Sequence, residues 1–141
     1  MIIQKARKTR KGNEMEIGTK GSREIIVTED MAASKSGMGL PPVLSTPSLI
    51  GFMETTCYES IMPELSEGQA TVGAKVDVTH MAATPIGMKV RFETELLEVK
   101  GSKLVFKVAA YDEVEMVGKG THVRFIIDKQ GFNDNLAKKS K

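Results

Sequence analysis

Three polar residues, a threonine, a glutamate and a histidine, fall where the hydrophobic pattern predicts a helix packed against a strand. Thr46 stands at the start of the helix, Glu54 lies on the apolar stripe of the helix, and His80 continues the apolar set of a later strand. A hydroxyl, a carboxylate and an imidazole that meet can activate a hydroxyl or a water for attack on an acyl carbon. The spacing therefore favours acyl-transfer or hydrolytic chemistry.

Each of these residues also has a purely structural explanation. Thr46 could serve only as a helix N-cap, and His80 could be a core histidine with satisfied hydrogen bonds. Glu54 is harder to explain, because an ionised carboxylate on a core-facing stripe is costly unless it is paired, hydrogen-bonded or protonated. A structural ion pair between Glu54 and His80 therefore stays open beside the catalytic interpretation.

The element that must position Thr46 and Glu54 is a helix predicted over residues 47–61. Pro47 suits the first helical position and makes Thr46 the expected N-cap, while Pro63 ends the helix. At about 100° per residue, Glu54 falls inside a narrow apolar stripe. The residues of that stripe are Ile50, Met53, Cys57 and Ile61.

Strands are predicted on both sides of the helix. A short apolar run at 23–27 predicts the first strand, and the loop at 28–44 that follows it could act as a lid. After the helix, hairpin-linked strands are predicted at 69–82, 88–97, 104–110 and 115–128. A bulge is possible in the second of these four strands, where Leu96 and Leu97 adjoin. One helix among about five strands predicts an α+β fold with a long antiparallel sheet packed on the helix.

Alternation assigns the two faces of these strands. In the first strand after the helix, the residues expected to face inward are Val72, Ala74, Val76 and Val78. In the last strand, the inward set is expected to be Val117, Val123, Phe125 and Ile127. That phase makes His122 an exposed strand residue and Arg124 a surface or interface charge. Gly118 and Gly120 are not followed by a helix, so they indicate close backbone approach or a bulge, not a phosphate loop.

Length and charge bound the remaining possibilities. The 141 residues suit one domain, divided here into a basic segment at 1–22, the domain at 23–133 and a basic tail at 134–141. The net charge is only +2 and no base-reading motif accompanies the basic ends, so nucleic acid is not an expected partner. The single cysteine excludes a disulfide scaffold, and no set of residues has metal-ligand spacing. With no signal peptide or membrane-spanning run, the expected location is the cytoplasm.

From 44 to 133 the chain resembles a known family, the fluoroacetyl-CoA thioesterase and its relatives, which are acyl-CoA thioesterases of the hot-dog fold. The likeness rests on Ser45-Thr46-Pro47, Gly51-Phe52-Met53-Glu54, Val78-Thr79-His80, Ala82-Ala83-Thr84-Pro85-Ile86-Gly87 and Gly118-Lys119-Gly120-Thr121-His122-Val123-Arg124. The family's catalytic threonine, glutamate and histidine fall on Thr46, Glu54 and His80. Its small glycine beside the site matches Gly73, and its strand arginine near the coenzyme entrance matches Arg124.

The resemblance implies a curved antiparallel sheet wrapped around one long helix, and a homodimer with coenzyme A entering near the subunit boundary. It implies hydrolysis of a short-chain acyl-CoA thioester, with coenzyme A as part of the substrate and no other cofactor. Glu54 or Thr46 would be the nucleophile, and His80 the acid and base. The alternatives are a non-catalytic acyl-CoA binding or sensing protein on the same fold, and a hot-dog dehydratase, whose Asp and His spacing is not found.

One departure from the family concerns the loop ahead of the helix. The fluoroacetyl-specific enzyme has a bulky aromatic gate there, whereas residues 31–44 contain no Phe, Tyr or Trp. Leu40 is the nearest apolar candidate for that place. We therefore expect a thioesterase without a strong preference for the fluorinated substrate.

Overall fold

The computed structural model describes residues 15–140 and contains a five-stranded antiparallel sheet wrapped around one long helix. The elements in chain order are β1 (Lys20–Ile26), α1 (Thr46–Ile61), β2 (Gln69–His80), β3 (Lys89–Lys100), β4 (Lys103–Tyr111), β5 (Met116–Asp128) and α2 (Lys129–Lys139). The strands lie in the order β1-β3-β4-β5-β2, so β1 and β2 form the two edges. This arrangement confirms the predicted α+β hot-dog fold. The predicted hairpin between the strands at 69–82 and 88–97 was wrong, because β2 pairs with β5 and not with β3.

The core lies between α1 and the concave face of the sheet. Leu49, Met53 and Cys57 of the helix are at most 1% exposed, and they pack against large apolar residues such as Phe92 and Phe106 on the sheet. Each buried side chain of this size stabilises the fold by about 1.5–3 kcal/mol relative to an exposed one. The core therefore fixes the position of α1 on β3 and β4.

The turns agree with the sequence. The helix ends at Ile61, Pro63 falls within a short 3-10 turn at Met62–Glu64, and Gly101 adopts φ +61° in the β3–β4 hairpin. The pairing of β3 with β4 shifts register between Leu96 and Glu98, which confirms the predicted bulge. The loop at 28–44 contains two short 3-10 turns. A bridge between Ala32 and Leu44 pairs two parts of the loop, and a bridge between Val43 and Pro85 ties it to the segment before β3.

Both ends of the domain differ from the sequence-based expectation. The first strand begins at Lys20, three residues before the predicted run, and pairs with β3 through Ile26. Residues 134–139 of the predicted basic tail are helical, because α2 extends to Lys139 with the Asp128 side chain accepting from Gly131 N as an N-cap. Of the predicted basic segment at 1–22, residues 1–14 lie outside the described residues, and so does Lys141 at the other end.

Candidate active site

Thr46 and His80 are in direct contact. Thr46 Oγ1 lies 2.7 Å from His80 Nδ1, joining the first residue of α1 to the last residue of β2. The hydroxyl can donate to the imidazole nitrogen, which is the geometry of a hydroxyl activated by a general base. An open groove of about 350 Å³ leads to this pair. Its lining includes Ala33, Val43, Leu44, Met81 and Ala83.

The contact forms because Ser45, not Thr46, is the N-cap of α1. The Ser45 side chain accepts from Ser48 N at 3.2 Å, and the helix begins at Thr46, which places Pro47 one position later than expected. The prediction of Thr46 as the cap was therefore wrong by one residue. The Thr46 hydroxyl therefore makes no capping hydrogen bond to the first turn of the helix, and it bonds to His80 instead.

His80 has the properties of a base. Partial burial lowers the pKa of His80 below its ordinary value, and the backbone of Ala82 offsets part of that effect. The ring is therefore neutral at pH 7, with one nitrogen free to accept a proton. Its Nε2 makes no hydrogen bond with any of residues 15–140.

Glu54 lies in a different group of residues. Its Oε2 is 3.6 Å from Arg124 Nη1 and 3.8 Å from His122 Nε2, and no hydrogen bond or ion pair within the described chain joins it to Thr46 or His80. The structural ion pair between Glu54 and His80 is therefore not formed in one protomer. Eight residues separate Thr46 from Glu54, which at about 1.5 Å per residue is roughly 12 Å along the helix axis.

Glu54 stands on the flank of the buried face of α1, with 37% of its side chain exposed. The buried residues of the helix are Leu49, Met53, Thr56, Cys57 and Ile61, so the apolar stripe centres near Met53 and not near Ile50. At about 100° per residue, Glu54 is rotated by about 100° from that centre. The carboxylate can therefore contact both the interior and solvent.

Arg124 and His122 are buried, with 6% and 1% exposure, which corrects the prediction that they lie on the outer face. Between residues 122 and 126 the phase of β5 is the reverse of the expected one, because His122, Arg124 and Ile126 face the helix, whereas Val117 is buried in the core as predicted. Apolar residues normally identify the inner face, but here the inner face holds polar groups and Val123 is only partly buried. The signal that could have found His122 was Gly118 in the same phase, where a Cβ would lie 3.1 Å from the Met53 side chain of the helix.

The guanidinium of Arg124 is held by three hydrogen bonds. Its Nε donates to Thr71 Oγ1 at 2.8 Å, Nη2 donates to the Thr71 carbonyl at 3.0 Å, and Nη1 donates to His122 Nε2 at 3.1 Å. The Tyr58 ring lies below it, 5.3 Å from Cζ to the ring centroid. Arg124 is therefore a fixed charge facing Glu54 and not a mobile surface cation.

Gly73 faces inward, because β2 has a bulge. The pairing of β2 with β5 shifts register between Gly73 and Lys75, so the inward phase differs on the two sides of Ala74. The prediction that Val72 and Ala74 face inward was wrong for this reason, whereas Val78 does pack against the core. A Cβ built on Gly73 would lie 2.7 Å from Glu54 Oε2 and 3.3 Å from Arg124 Nη1, so only glycine leaves room for the carboxylate.

Leu40 is 49% exposed and does not line the groove beside Thr46, so its role at the substrate stays a prediction. Burial raises the pKa of the Cys57 thiol to about 12, which excludes this residue as a thiolate nucleophile at neutral pH. Residues 15–140 contain no cluster of three or more potential ligands that could hold a metal ion.

Comparison with known proteins bears on the chemistry of the Thr46–His80 pair and of the residues around Glu54. The profile of the family "FlK: Fluoroacetyl-CoA-specific thioesterase" matches residues 27–130. A fluoroacetyl-CoA thioesterase of Streptantibioticus cattleyicolor is 38% identical over 100 residues, which cover 71% of this chain and 72% of that protein. The chain belongs to the fluoroacetyl-CoA-specific thioesterase family. Thr46, Glu54, Gly73, His80 and Arg124 all fall within the matched region.

Solved structures of thioesterases have the same architecture. The structure of the fluoroacetyl-CoA thioesterase FlK has a TM-score of 0.85 and 31% identity, covering 90% of this chain and 98% of that one. A thioesterase superfamily member from Thermus thermophilus has a TM-score of 0.83 and 26% identity, covering 89% and 93%. Both matches cover a larger share of the chain than the family profile, which begins at residue 27. In the described part of the chain, no helix is both long and apolar enough to span a membrane.

Proposed function

We propose that this thioesterase hydrolyses a short-chain acyl-CoA to the free acid and coenzyme A. The observation that carries the proposal is the 2.7 Å contact between Thr46 Oγ1 and His80 Nδ1, with His80 neutral at pH 7. Membership of a thioesterase family favours catalysis over the alternative of a non-catalytic acyl-CoA sensor, which nothing observed supports. No cofactor beyond the substrate's own coenzyme A is required by this scheme.

In the proposed mechanism, His80 Nδ1 takes the proton of the Thr46 hydroxyl while Oγ1 attacks the acyl carbon. The C–S bond breaks, His80 returns the proton to the departing thiolate, and the acyl group remains as an ester on Thr46. The positive dipole at the start of α1 stabilises the developing oxyanion, whereas Ser48 N is already bonded to the Ser45 side chain and Pro47 has no N–H. A water then hydrolyses the ester, with a carboxylate or imidazole as its base.

Glu54 is the carboxylate suited to this second step, but it needs a second protomer to reach Thr46. β2 is an edge strand whose residues 73–77 are all exposed, and such an edge is a template for pairing with another chain. An antiparallel pair about a twofold axis at Val76 places Lys75 opposite Asp77 of the partner subunit. Opposite charges at directly opposed positions favour that register.

This register brings the two polar groups together. In β2, Gly73 lies three residues before Val76 and His80 lies four residues after Val76. Antiparallel pairing about Val76 therefore sets the partner subunit's His80 beside Gly73, and so beside Glu54, which contacts Gly73. Each site of the proposed homodimer then combines Glu54 of one protomer with Thr46 and His80 of the other. Coenzyme A would enter along the subunit boundary. Light scattering at micromolar concentration should give about twice 15.4 kDa, and a monomer would overturn this assembly.

The function is tested by a panel of acyl-CoAs with a thiol-reactive dye. Wild-type protein should release coenzyme A from acetyl-CoA, and His80→Ala and Glu54→Gln should each lower kcat/KM by at least ~100-fold without unfolding. Binding of acyl-CoA without thiol release would support the sensor instead. Hydration of an enoyl-CoA would support the dehydratase.

Mass spectrometry of a trapped acyl-enzyme distinguishes an ester on Thr46 from an anhydride on Glu54. The cytoplasmic location stays a prediction.

A further inference from the structure

His122 is a buried polar residue that the proposed reaction does not use. Only 1% of it is exposed, and its ring stacks on Phe106 of β4 with centroids 6.5 Å apart. A buried imidazole is stable only if both of its nitrogens find partners. Partners lie on both sides of the ring, one from β2 and one from β5.

These two partners fix the protonation state of His122. Nδ1 lies 2.8 Å from the Lys75 carbonyl, which can only accept, so Nδ1 carries the proton and donates. Nε2 lies 3.1 Å from Arg124 Nη1, which can only donate, so Nε2 holds a lone pair. The ring is therefore the neutral Nδ1–H tautomer. The 3.8 Å separation of Nε2 from Glu54 Oε2 is consequently not an ion pair.

Both hydrogen bonds end on features that shape the surroundings of Glu54. The Lys75 carbonyl belongs to the bulge of β2 that turns Gly73 toward the carboxylate. The Arg124 Nη1 that donates to His122 is the same nitrogen that faces Glu54 Oε2 at 3.6 Å. We propose that His122 is a positioning residue of the thioesterase reaction: it holds Arg124 against Glu54 and anchors the bulge that makes room for the carboxylate. This inference rests on the proposed function, in which Glu54 takes part in hydrolysis.

Protonation of His122 would undo this arrangement. A second N–H on Nε2 would point at Arg124 Nη1, and two donors and two positive charges would then meet at 3.1 Å. The charged groups facing the ring are Arg124 from β5 and Glu54 from α1; β2 contributes the Lys75 carbonyl, and β4 the uncharged Phe106 ring. Burial is the main cause that lowers the pKa of His122, and Arg124 adds to it. Arg124 therefore stays in place at neutral pH.

Two substitutions separate positioning from bulk packing. In His122→Gln, the amide can donate to Lys75 and accept from Arg124, whereas in His122→Leu the side chain fills space and does neither. We expect His122→Leu to lower kcat by at least ~10-fold and His122→Gln to stay within about threefold of wild type, because misplacing a reacting group by about 1 Å can cost about 100-fold. Ser102→Ala, which removes a buried hydroxyl with no hydrogen-bond partner in the described chain, is the matched control with unchanged kcat.

The tautomer gives a readout that does not depend on activity. The chain has two histidines, so nitrogen NMR of the imidazoles, assigned with His122→Gln, reports each ring separately. We expect His122 to be the neutral Nδ1–H tautomer at pH 7; an Nε2–H tautomer or an imidazolium would overturn the proposal. Equal kcat in wild type and His122→Leu, or a loss confined to KM, would also overturn it. Wild-type protein that does not hydrolyse any acyl-CoA would instead contradict the proposed function, and the tautomer would still be tested.

Discussion

Gly73 lies so close to Glu54 that a single methyl group cannot be placed between them. A Cβ at residue 73 would stand 2.7 Å from Glu54 Oε2, well inside van der Waals contact. The bulge in β2 creates this approach, and Arg124 and His122 face the same carboxylate oxygen from β5. The position of Glu54 is thus set by β2 and β5 together, and not by α1 alone.

Gly73→Ala should therefore displace Glu54 and lower kcat/KM by about 10- to 100-fold, with little loss of stability at a half-exposed carboxylate. The matched control is Gly51→Ala in α1, where a Cβ would meet nothing within 4 Å. That substitution should leave activity unchanged and stabilise the helix by about 0.5–1 kcal/mol. Steady-state kinetics and chemical denaturation of both variants check the pair. Full activity in Gly73→Ala would mean that the carboxylate need not occupy this place.

Adjacent residues at the start of α1 should separate stability from catalysis. Ser45→Ala removes the N-cap and should cost about 1 kcal/mol of unfolding free energy with activity largely kept. Thr46→Ala removes the hydroxyl bonded to His80 and should lose activity with a smaller loss of stability. Denaturation curves and thiol-release rates measured side by side decide the matter. If Thr46→Ala lost stability and Ser45→Ala lost activity, Thr46 would be the N-cap.

The sequence predicted the architecture better than it predicted the surroundings of Glu54. Pro63, Gly87 and Gly101 act locally, so the end of the helix and the turns followed directly from residue type. His122 and Arg124 were assigned to the wrong face because alternation assumes an apolar interior, and this interior holds a buried polar network. The inward position of Gly73 depends on the pairing of β2 with β5, which no local pattern of β2 reveals.

The pH dependence of stability should reflect both histidines. Burial lowers the pKa of His80 and His122 in the folded chain, whereas the unfolded chain binds their protons near the ordinary pKa of about 6.5. The unfolded state thus holds more protons below that pH, so the unfolding free energy should fall as pH drops from 6.5 toward 5 and change little above 7. Denaturation of wild type, His80→Gln and His122→Gln across this range tests it. If the unfolding free energy of both variants changed with pH as steeply as that of wild type, the two histidines would not be the cause.

Selectivity should follow from the loop at 28–44. Residues 31–44 contain no aromatic residue, and Leu40 is 49% exposed, so no bulky ring closes over a small acyl group from this loop. Apolar pockets distinguish such small differences by only about 1–3 kcal/mol, so we expect a preference for fluoroacetyl-CoA over acetyl-CoA below ~200-fold. The kcat/KM values for the two thioesters measure it. A preference of many thousand-fold would place selectivity in Glu54, His80 and their neighbours instead.

The most direct test of the shared active site mixes two inactive variants. Glu54→Gln and His80→Ala proteins, each inactive alone, are co-refolded at equal concentration, and release of coenzyme A from acetyl-CoA is measured. If Glu54 of one protomer serves the partner's Thr46 and His80, half of the dimers are hybrids with one intact site, and activity should return to about one quarter of wild type. If all three residues acted within one protomer, no hybrid would contain an intact site. Mixtures as inactive as the separate variants, with hybrid dimers confirmed by mass spectrometry, would contradict the account.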